Sequence, residues 1–468
     1  MGSPSAGAAP RELSASRVAV LLGTLVALTV IGSSAVAVAL PEVAADLGLD
    51  KPGTAWVLAV FSLSFSVATA VFGRVADLRG LRLPLAVGTA LLALGSIGAA
   101  AAWNFPSLIV ARLVQGTGAG AVPVLALGIL AARFQGPARS RALGALTAVV
   151  SIVSGSGPLI GGGIAELLGW RFVLAIPTLA VLIVVPVAGM APATAVVAGR
   201  IDWRGAALVT AVTTGVVLLL QSPATQAGPV VVGLAVALTM AGGAGLVGHV
   251  RSKPEGFLPL RVVGNRDVML TCVAGLTLLA AYLGMMLAVP LIFADDQGWR
   301  PLQIGLAMLP AALTGAVVSR LVGGAAERVG RYRIALGLCV GSAAGLVLAG
   351  VGHHQPVLLV LGLAGAVAGF GGGQTALIDA IPDLVAEDVR GVAIGVFNLI
   401  FFTGGAVGAA AVGGLGGAFS LPVAVACLAA LPAGGALACA VVGRRRAASS
   451  GDAEADHYRA RHGLHHQA

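Results

Sequence analysis

Fourteen apolar runs follow one another along this chain: 17–40, 54–73, 83–102, 106–132, 142–165, 171–191, 204–222, 228–250, 268–293, 303–325, 333–352, 356–381, 390–416 and 420–442. Each is close to the ~20 residues that a helix needs to cross a bilayer. Lipid offers the backbone no hydrogen-bond partners, so such a chain folds as membrane helices that satisfy their own amides. The composition agrees: 10% of residues are charged and mean hydropathy is +0.98, whereas soluble domains carry about 25% charged residues.

The net charge of +9 is read as topology rather than as nucleic-acid binding, because the arginines lie in short loops between apolar runs. One set of alternate loops holds Arg74, Arg79 and Arg82, then Arg133, Arg139 and Arg141, and later Arg328, Arg331 and Arg333; the opposite loops hold Lys51, Arg171 and Arg300. Arg11 and Arg17 before the first run and Arg444–Arg446 after the last fall with the rich set. Both termini are therefore expected on the cytoplasmic side of the membrane, which requires an even number of spans. The first run is read as a helix rather than a cleaved signal, since it is long and thirteen more follow. All four cysteines sit inside apolar runs and are read as small apolar residues.

Internal duplication is written in the loops. GRVADLRGLR places Gly73 and Asp77 four apart, with Gly80 breaking the chain among Arg74, Arg79 and Arg82. A weaker copy, Gly323, Glu327, Gly330 and Arg331, stands 250 residues on. The copies follow runs two and ten, so two extra runs must separate two six-helix halves. The expected plan is a tail over 1–16, a first half over 17–198, an inserted pair over 199–252, a second half over 253–443 and a disordered cytoplasmic tail over 444–468.

Two further stretches carry physical meaning. In ARLVQGTGAG, Arg112 lies inside an apolar helix, where an arginine costs about 2.5–3.5 kcal/mol even on lenient insertion scales. It is expected to face a cavity, backbone carbonyls or a partner, the other possibility being snorkelling to the surface. Gln115 follows three residues on, and Gly116, Gly118 and Gly120 admit close helices. In SGSGPLIGGG, Pro158 removes a backbone donor while Gly157, Gly161, Gly162 and Gly163 leave the helix bare for packing.

In this order, on runs two to five, the three stretches resemble motifs A, B and C of the major facilitator superfamily, and fourteen runs resemble its fourteen-helix drug:proton antiporters. TAWVLAVFSLSFSVATAVFG, RIDWRGAAL and RGVAIGVFNLIFF are similar to segments of the class K and L tetracycline exporters. The resemblance implies an all-α major facilitator fold of 6 + 2 + 6 helices. It implies a conformational charge cluster of Arg74, Asp77 and Arg79 framed by Gly73 and Gly80, a coupling role for Arg112, and an antiporter helix shaped by Gly157, Pro158, Gly161 and Gly162.

The chain departs from that pattern where carboxylates are concerned. The first-helix aspartate and asparagine positions hold Gly32 and Ala37, and three intramembrane glutamate positions of the tetracycline exporters hold Ser33, Ser154 and Gly405. No acid falls in the middle of a run; Asp379 comes nearest, and Glu166 lies near the outer end of run five. A cavity whose main charge is Arg112 suits a neutral, zwitterionic or anionic substrate. Other polar groups within runs are Ser33, Ser34, Tyr282, Gln374 and Asn398. His353 and His354 are read as loop residues with no acid nearby, and the tail histidines as part of a solvated segment.

The expected function is export of an antibiotic or other small amphipathic compound by alternating access, coupled to proton entry. A proton-linked uptake symporter is the runner-up, disfavoured by the Gly157–Pro158 helix. A scaffold or enzyme is disfavoured, since no nucleophile–base pair, metal cluster or phosphate loop is present. Expected partners are the substrate, the proton and the bilayer; the protein is expected to act as a monomer without cofactor, metal or nucleic acid.

Overall fold

The computed structural model describes residues 15–191, 202–222, 228–253 and 259–461. Among these residues every regular element is helical. The first half comprises α1 (Ala15–Leu47), α2 (Lys51–Arg79), α3 (Arg82–Ala100), α4 (Phe105–Arg133), α5 (Gly136–Leu168) and α6 (Trp170–Met190), the last tightened into a 3-10 turn at Ile176–Leu179. An extra pair follows, α7 (Trp203–Gln221) and α8 (Pro229–Ser252). The second half comprises α9 (Arg266–Gln297), α10 (Pro301–Val329), α11 (Arg331–Val351), α12 (Pro356–Ala380), α13 (Arg390–Ala418) and α14 (Leu421–Ala448).

Thirteen of the described helices are long and apolar enough to cross a membrane. The place of the remaining expected span is held by α5, which runs unbroken through Pro158. The tail expected to be disordered instead continues α14 as helix to Arg461. Its alanines, arginines and Glu454 are good helix formers, and the preceding turn supplies the nucleus. Cys272, Cys339 and Cys439 are buried and Cys427 is exposed, so the apolar reading holds for three of the four as core residues.

The backbone repeats as the sequence does. Gly48 (φ 61°) and Gly298 (φ 63°) end α1 and α9, and Gly80 (φ 76°) and Gly330 (φ 94°) end α2 and α10. Each pair is 250 residues apart. A side chain is strained at positive φ, so glycine is the residue that lets both halves turn alike.

The halves meet along two seams. α2 lies along α13, and α5 lies along α10. At the arginine-poor end these seams close to backbone contact. A Cβ at Gly162 would collide with the Pro301 carbonyl, one at Gly305 with the Pro158 carbonyl, and one at Gly413 with Ala55. The inserted pair packs on itself and leans α7 against α2 and α13. An apolar window of α9 is 89% buried and that of α8 only 11%, which makes α9 a core helix and α8 a lipid-facing one.

Candidate functional site

The site is built on α4. Its glycines bring it against two neighbours at once: Gly116 and Gly120 face the Phe61 and Phe65 carbonyls of α2, while Gly118 faces Leu92 of α3. That proximity puts Arg112 in the centre of the first half, fully buried. Its Nε donates to the Val57 carbonyl of α2 at 3.0 Å. Its Nη1 donates to the Gly32 carbonyl of α1 at 3.1 Å and to Gln115 Oε1 at 2.6 Å. The guanidinium carbon stands 4.3 Å from the centre of the Phe61 ring, where the ring face attracts a cation. The Gln115 amide then donates to Ser96 Oγ of α3 at 2.8 Å and to the Leu174 carbonyl of α6 at 3.4 Å.

Arg112 and Gln115 together thus tie five helices, and the arginine's charge is answered by carbonyl and amide dipoles. Among the described residues no carboxylate touches it, and its Nη2 is a buried donor without a partner. A buried donor of this kind costs free energy until an acceptor reaches it.

An aromatic band continues from this network across the seam. Phe61 and Phe65 on α2 are 6.1 Å apart, and Phe65 meets Phe402 of α13 edge-on at 4.7 Å. Phe402 adjoins Phe401 at 5.3 Å, Phe401 adjoins Phe370 of α12 at 6.1 Å, and Phe370 stacks on Tyr282 of α9 at 4.5 Å. Aromatics make up only 4% of the chain, so the gathering of six of them into one band is a feature of the fold. Beside it, Thr403 of α13 donates to Ser66 of α2 at 3.4 Å.

Among the expected site residues, Arg112 and Gln115 are brought together and Tyr282 joins the aromatic band. Gln374 and Asn398 are half-buried on α12 and α13, and Asp379 is exposed in the last turn of α12. Ser34 is buried and serves packing: it donates to the Val30 carbonyl at 3.4 Å and occupies the hollow at Gly157. The glycines of α5 serve two faces, not one. Gly157 and Gly161 admit α1, whereas Gly162 admits α10. Gly73 rests near Val124, Gly80 closes α2 through its N–H to the Ala76 carbonyl, and Arg74 and Arg79 are exposed. The side chains of Ser33, Asp77, Ser154 and Glu327 lie outside the described residues.

Other loop arginines cap helix ends. Arg82 and Arg133 donate to the Ala191 and Met190 carbonyls at the end of α6, where the helix dipole is negative. Arg331 pairs with Asp383 and Arg445 with Asp267 in the second half. At the arginine-poor end, Glu166 of α5 accepts from the Leu302 N–H of α10 at 3.2 Å, with Arg300 at 3.9 Å. This is a polar clasp across the seam.

Sequence reasoning missed the aromatic band, whose members are scattered over more than 300 residues. It also passed over Arg320, exposed inside α10, although a charge within an apolar run is itself a signal. It placed no acid near His353 and His354, yet folding carries Asp296 from the end of α9 to their side.

Comparison with known proteins agrees with this architecture. The chain is 30% identical over 383 residues to multidrug resistance protein Stp of Mycobacterium tuberculosis, spanning 80% of this chain and 71% of Stp. It is 33% identical over 362 residues to the cephamycin export protein CmcT of Amycolatopsis lactamdurans, spanning 73% and 72%. It is 27% identical over 385 residues to the drug efflux pump JefA of Mycobacterium tuberculosis, spanning 80% and 75%. In fold it matches an inward-facing, unoccupied bacterial homologue of the human lysosomal transporter Spinster, with TM-score 0.65, 13% identity and coverage of 93% and 98%. It also matches a D-xylose–proton symporter, with TM-score 0.62, 14% identity and coverage of 91% and 96%. The family model of the Major Facilitator Superfamily matches residues 22–409, and this chain, whose described helices pack along the α2–α13 and α5–α10 seams, is a multi-pass membrane transporter that belongs to that superfamily.

Proposed function

We propose that the protein exports a small amphipathic compound, neutral, zwitterionic or anionic, from the bacterial cytoplasm in exchange for protons. The observation that carries this reading is the buried Arg112, partnered by dipoles and a ring face rather than by a carboxylate, with one donor still open. A carboxylate or carbonyl of a substrate can meet that donor; a multivalent cation gains nothing there. The aromatic band beside it offers flat apolar surface across both halves. Acids stay toward the helix ends, as at Glu42, Asp46, Glu166 and Asp379. The names of Stp, CmcT and JefA support the export direction.

Transport would follow alternating access, the halves rocking about their seams. With the arginine-rich end cytoplasmic, the tight contacts at Gly162, Gly305 and Gly413 close the outer end and the Glu166 clasp secures it. The Arg74–Asp77–Arg79 loop would lock the opposite state. Proton coupling is assigned to Asp77, Asp379 or the ionisation of the substrate itself. The test is a drug-susceptibility panel in a pump-deficient bacterial host, with and without a protonophore, beside an Asp77→Asn variant. Resistance to an anionic or zwitterionic compound that disappears with the protonophore is expected, as is loss of export in the variant with normal membrane abundance. Accumulation of the solute inside expressing cells, or undiminished export by Asp77→Asn, would overturn the reading.

A further inference from the structure

At the arginine-poor end the two halves treat one equivalent acid differently. In the first half Asp46, near the end of α1, accepts from Arg171 at 2.7 Å and from the Trp170 indole at 3.1 Å. Arg171 also donates to the Ala102 carbonyl at 3.3 Å. A fixed guanidinium therefore neutralises that acid and ties the ends of α1 and α3 to α6. In the second half the counterpart of Asp46, 250 residues on, is Asp296 at the end of α9. The counterparts of Trp170 and Arg171 are Ser420 and Leu421, so the guanidinium is missing. Instead, a pocket of about 530 Å³ opens there, lined by Lys51 of the first half and by Asp295, Asp296, His353, His354 and Ser420.

His353 and His354 come from the α11–α12 connection, and their rings lie 3.8 Å apart. One ligand atom from each, and one carboxylate oxygen of Asp296, all lie within 4.8 Å of one another. His353 Nδ1 is 3.1 Å from the Gly350 carbonyl. A carbonyl only accepts, so Nδ1 carries the proton and Nε2 of the neutral ring keeps a free lone pair. That is the hydrogen-bonding pattern by which proteins set a metal-binding imidazole.

We propose that Asp296, His353 and His354 form a binding site for a divalent transition-metal ion of the zinc class, which takes the place that the Arg171 guanidinium fills in the first half. Two imidazoles and one carboxylate are a donor set suited to Zn²⁺, whereas Mg²⁺ and Ca²⁺ prefer oxygen alone. Water completes the coordination from the open pocket. The bound ion neutralises the acid and ties the end of α9 to the α11–α12 connection. The site is independent of the transport reading, because none of its ligands belongs to the Arg112 network or the aromatic band.

The test is calorimetric titration of Zn²⁺ into the full-length protein, purified in detergent without a polyhistidine tag. The wild type, a His353→Gln/His354→Gln double variant and Asp296→Asn are compared, with Mg²⁺ as the control ion. The tail histidines are common to all and give a shared background. The wild type should bind one equivalent more than the double variant, and Asp296→Asn should weaken that equivalent roughly tenfold or more. Asp296 is exposed, so its variant keeps the test open if the double variant fails to fold. Equal zinc stoichiometry in the wild type and a folded double variant, unchanged affinity in Asp296→Asn, or equal binding of Mg²⁺ would overturn the proposal.

Discussion

Arg112 and its counterpart in the second half stand at equivalent places and do opposite things. Moving 250 residues along the chain replaces Arg112 by Gly362, Gln115 by Gly365 and Ser96 by Leu346. In the first half α3 and α4 are joined by a polar chain from guanidinium to amide to hydroxyl. In the second half α11 and α12 approach until a Cβ at Gly362 would reach Gly345 and Ala349, and Ser342 donates to the Gly365 carbonyl at 2.9 Å. One half holds a charge and an open donor; the other holds a glycine contact and presents rings, Tyr282 on Phe370. Duplication supplied two similar bundles, and this difference leaves the buried charge and its polar chain to the first, while both contribute rings to the band.

The severest way to break the comparison is Arg112→Leu. It leaves the Gln115 carbonyl oxygen buried without its donor, where each unsatisfied buried polar group costs about 1–3 kcal/mol. Transport should fall roughly 100-fold while the protein still reaches the membrane. Arg112→Lys should rescue little, because one ammonium on a flexible stem lacks the planar fork that reaches carbonyls on two helices and Gln115 together. Uptake into inverted vesicles, scaled to protein abundance, measures both. Full activity in Arg112→Lys would mean that charge alone matters.

Next in size is a matched pair of glycine substitutions. Gly95→Leu would drive a side chain into the Gln115 backbone, and Gly362→Leu would drive one into Gly345 and Ala349. Overpacking of this kind costs about 1–3 kcal/mol, so both should lower the unfolding midpoint in detergent by similar amounts. Only Gly95→Leu should also abolish transport, since it displaces Gln115 from Arg112. Equal transport loss in both would erase the distinction between a polar network and a packing contact.

These comparisons rest on features of unequal legibility. The spans could be read because each needs about 20 apolar residues whatever its neighbours, and the duplication because Gly73, Gly80, Gly323 and Gly330 kept their spacing. Arg112 could be read as costly, but its partners could not. The Val57 and Gly32 carbonyls belong to every residue type and leave no trace in a sequence. The band from Phe61 to Tyr282 was hidden because aromatics in apolar runs look like core until helix order places them side by side. Asp296 and His353 lie 57 positions apart, and only the docking of α11 beside α9 joins them. The helical tail to Arg461 was missed because its polarity was taken as disorder.

A smaller effect sharpens the aromatic side. Phe370→Leu keeps apolar volume but removes the flat stack on Tyr282, a contact worth about 0.5–1.5 kcal/mol beyond buried area. Export of flat-ring compounds should weaken roughly 3- to 10-fold, and that of aliphatic compounds should change little. Equal loss for both classes would make Phe370 a packing residue.

The smallest expected effect lies at the Glu166 clasp. Its pair with Arg300 is long, at 3.9 Å, and the Arg300 side chain is 78% exposed, so water screens it and Arg300→Gln should change little. The bond to the Leu302 N–H is different, because it falls at the start of α10, where unpaired amides and the helix dipole favour a negative oxygen. Glu166→Gln keeps an acceptor and loses the charge; Glu166→Ala loses both. The outer end should therefore open progressively from wild type to Gln to Ala, within about fivefold overall for an interaction worth about 0.3–1 kcal/mol. The readout is labelling of Leu302→Cys by a membrane-impermeant maleimide, with exposed Cys427 replaced by Ser. Because the glycine contacts at Gly162 and Gly305 persist in all these variants, a much larger opening would mean that the carboxylate, rather than close backbone packing, holds the halves shut.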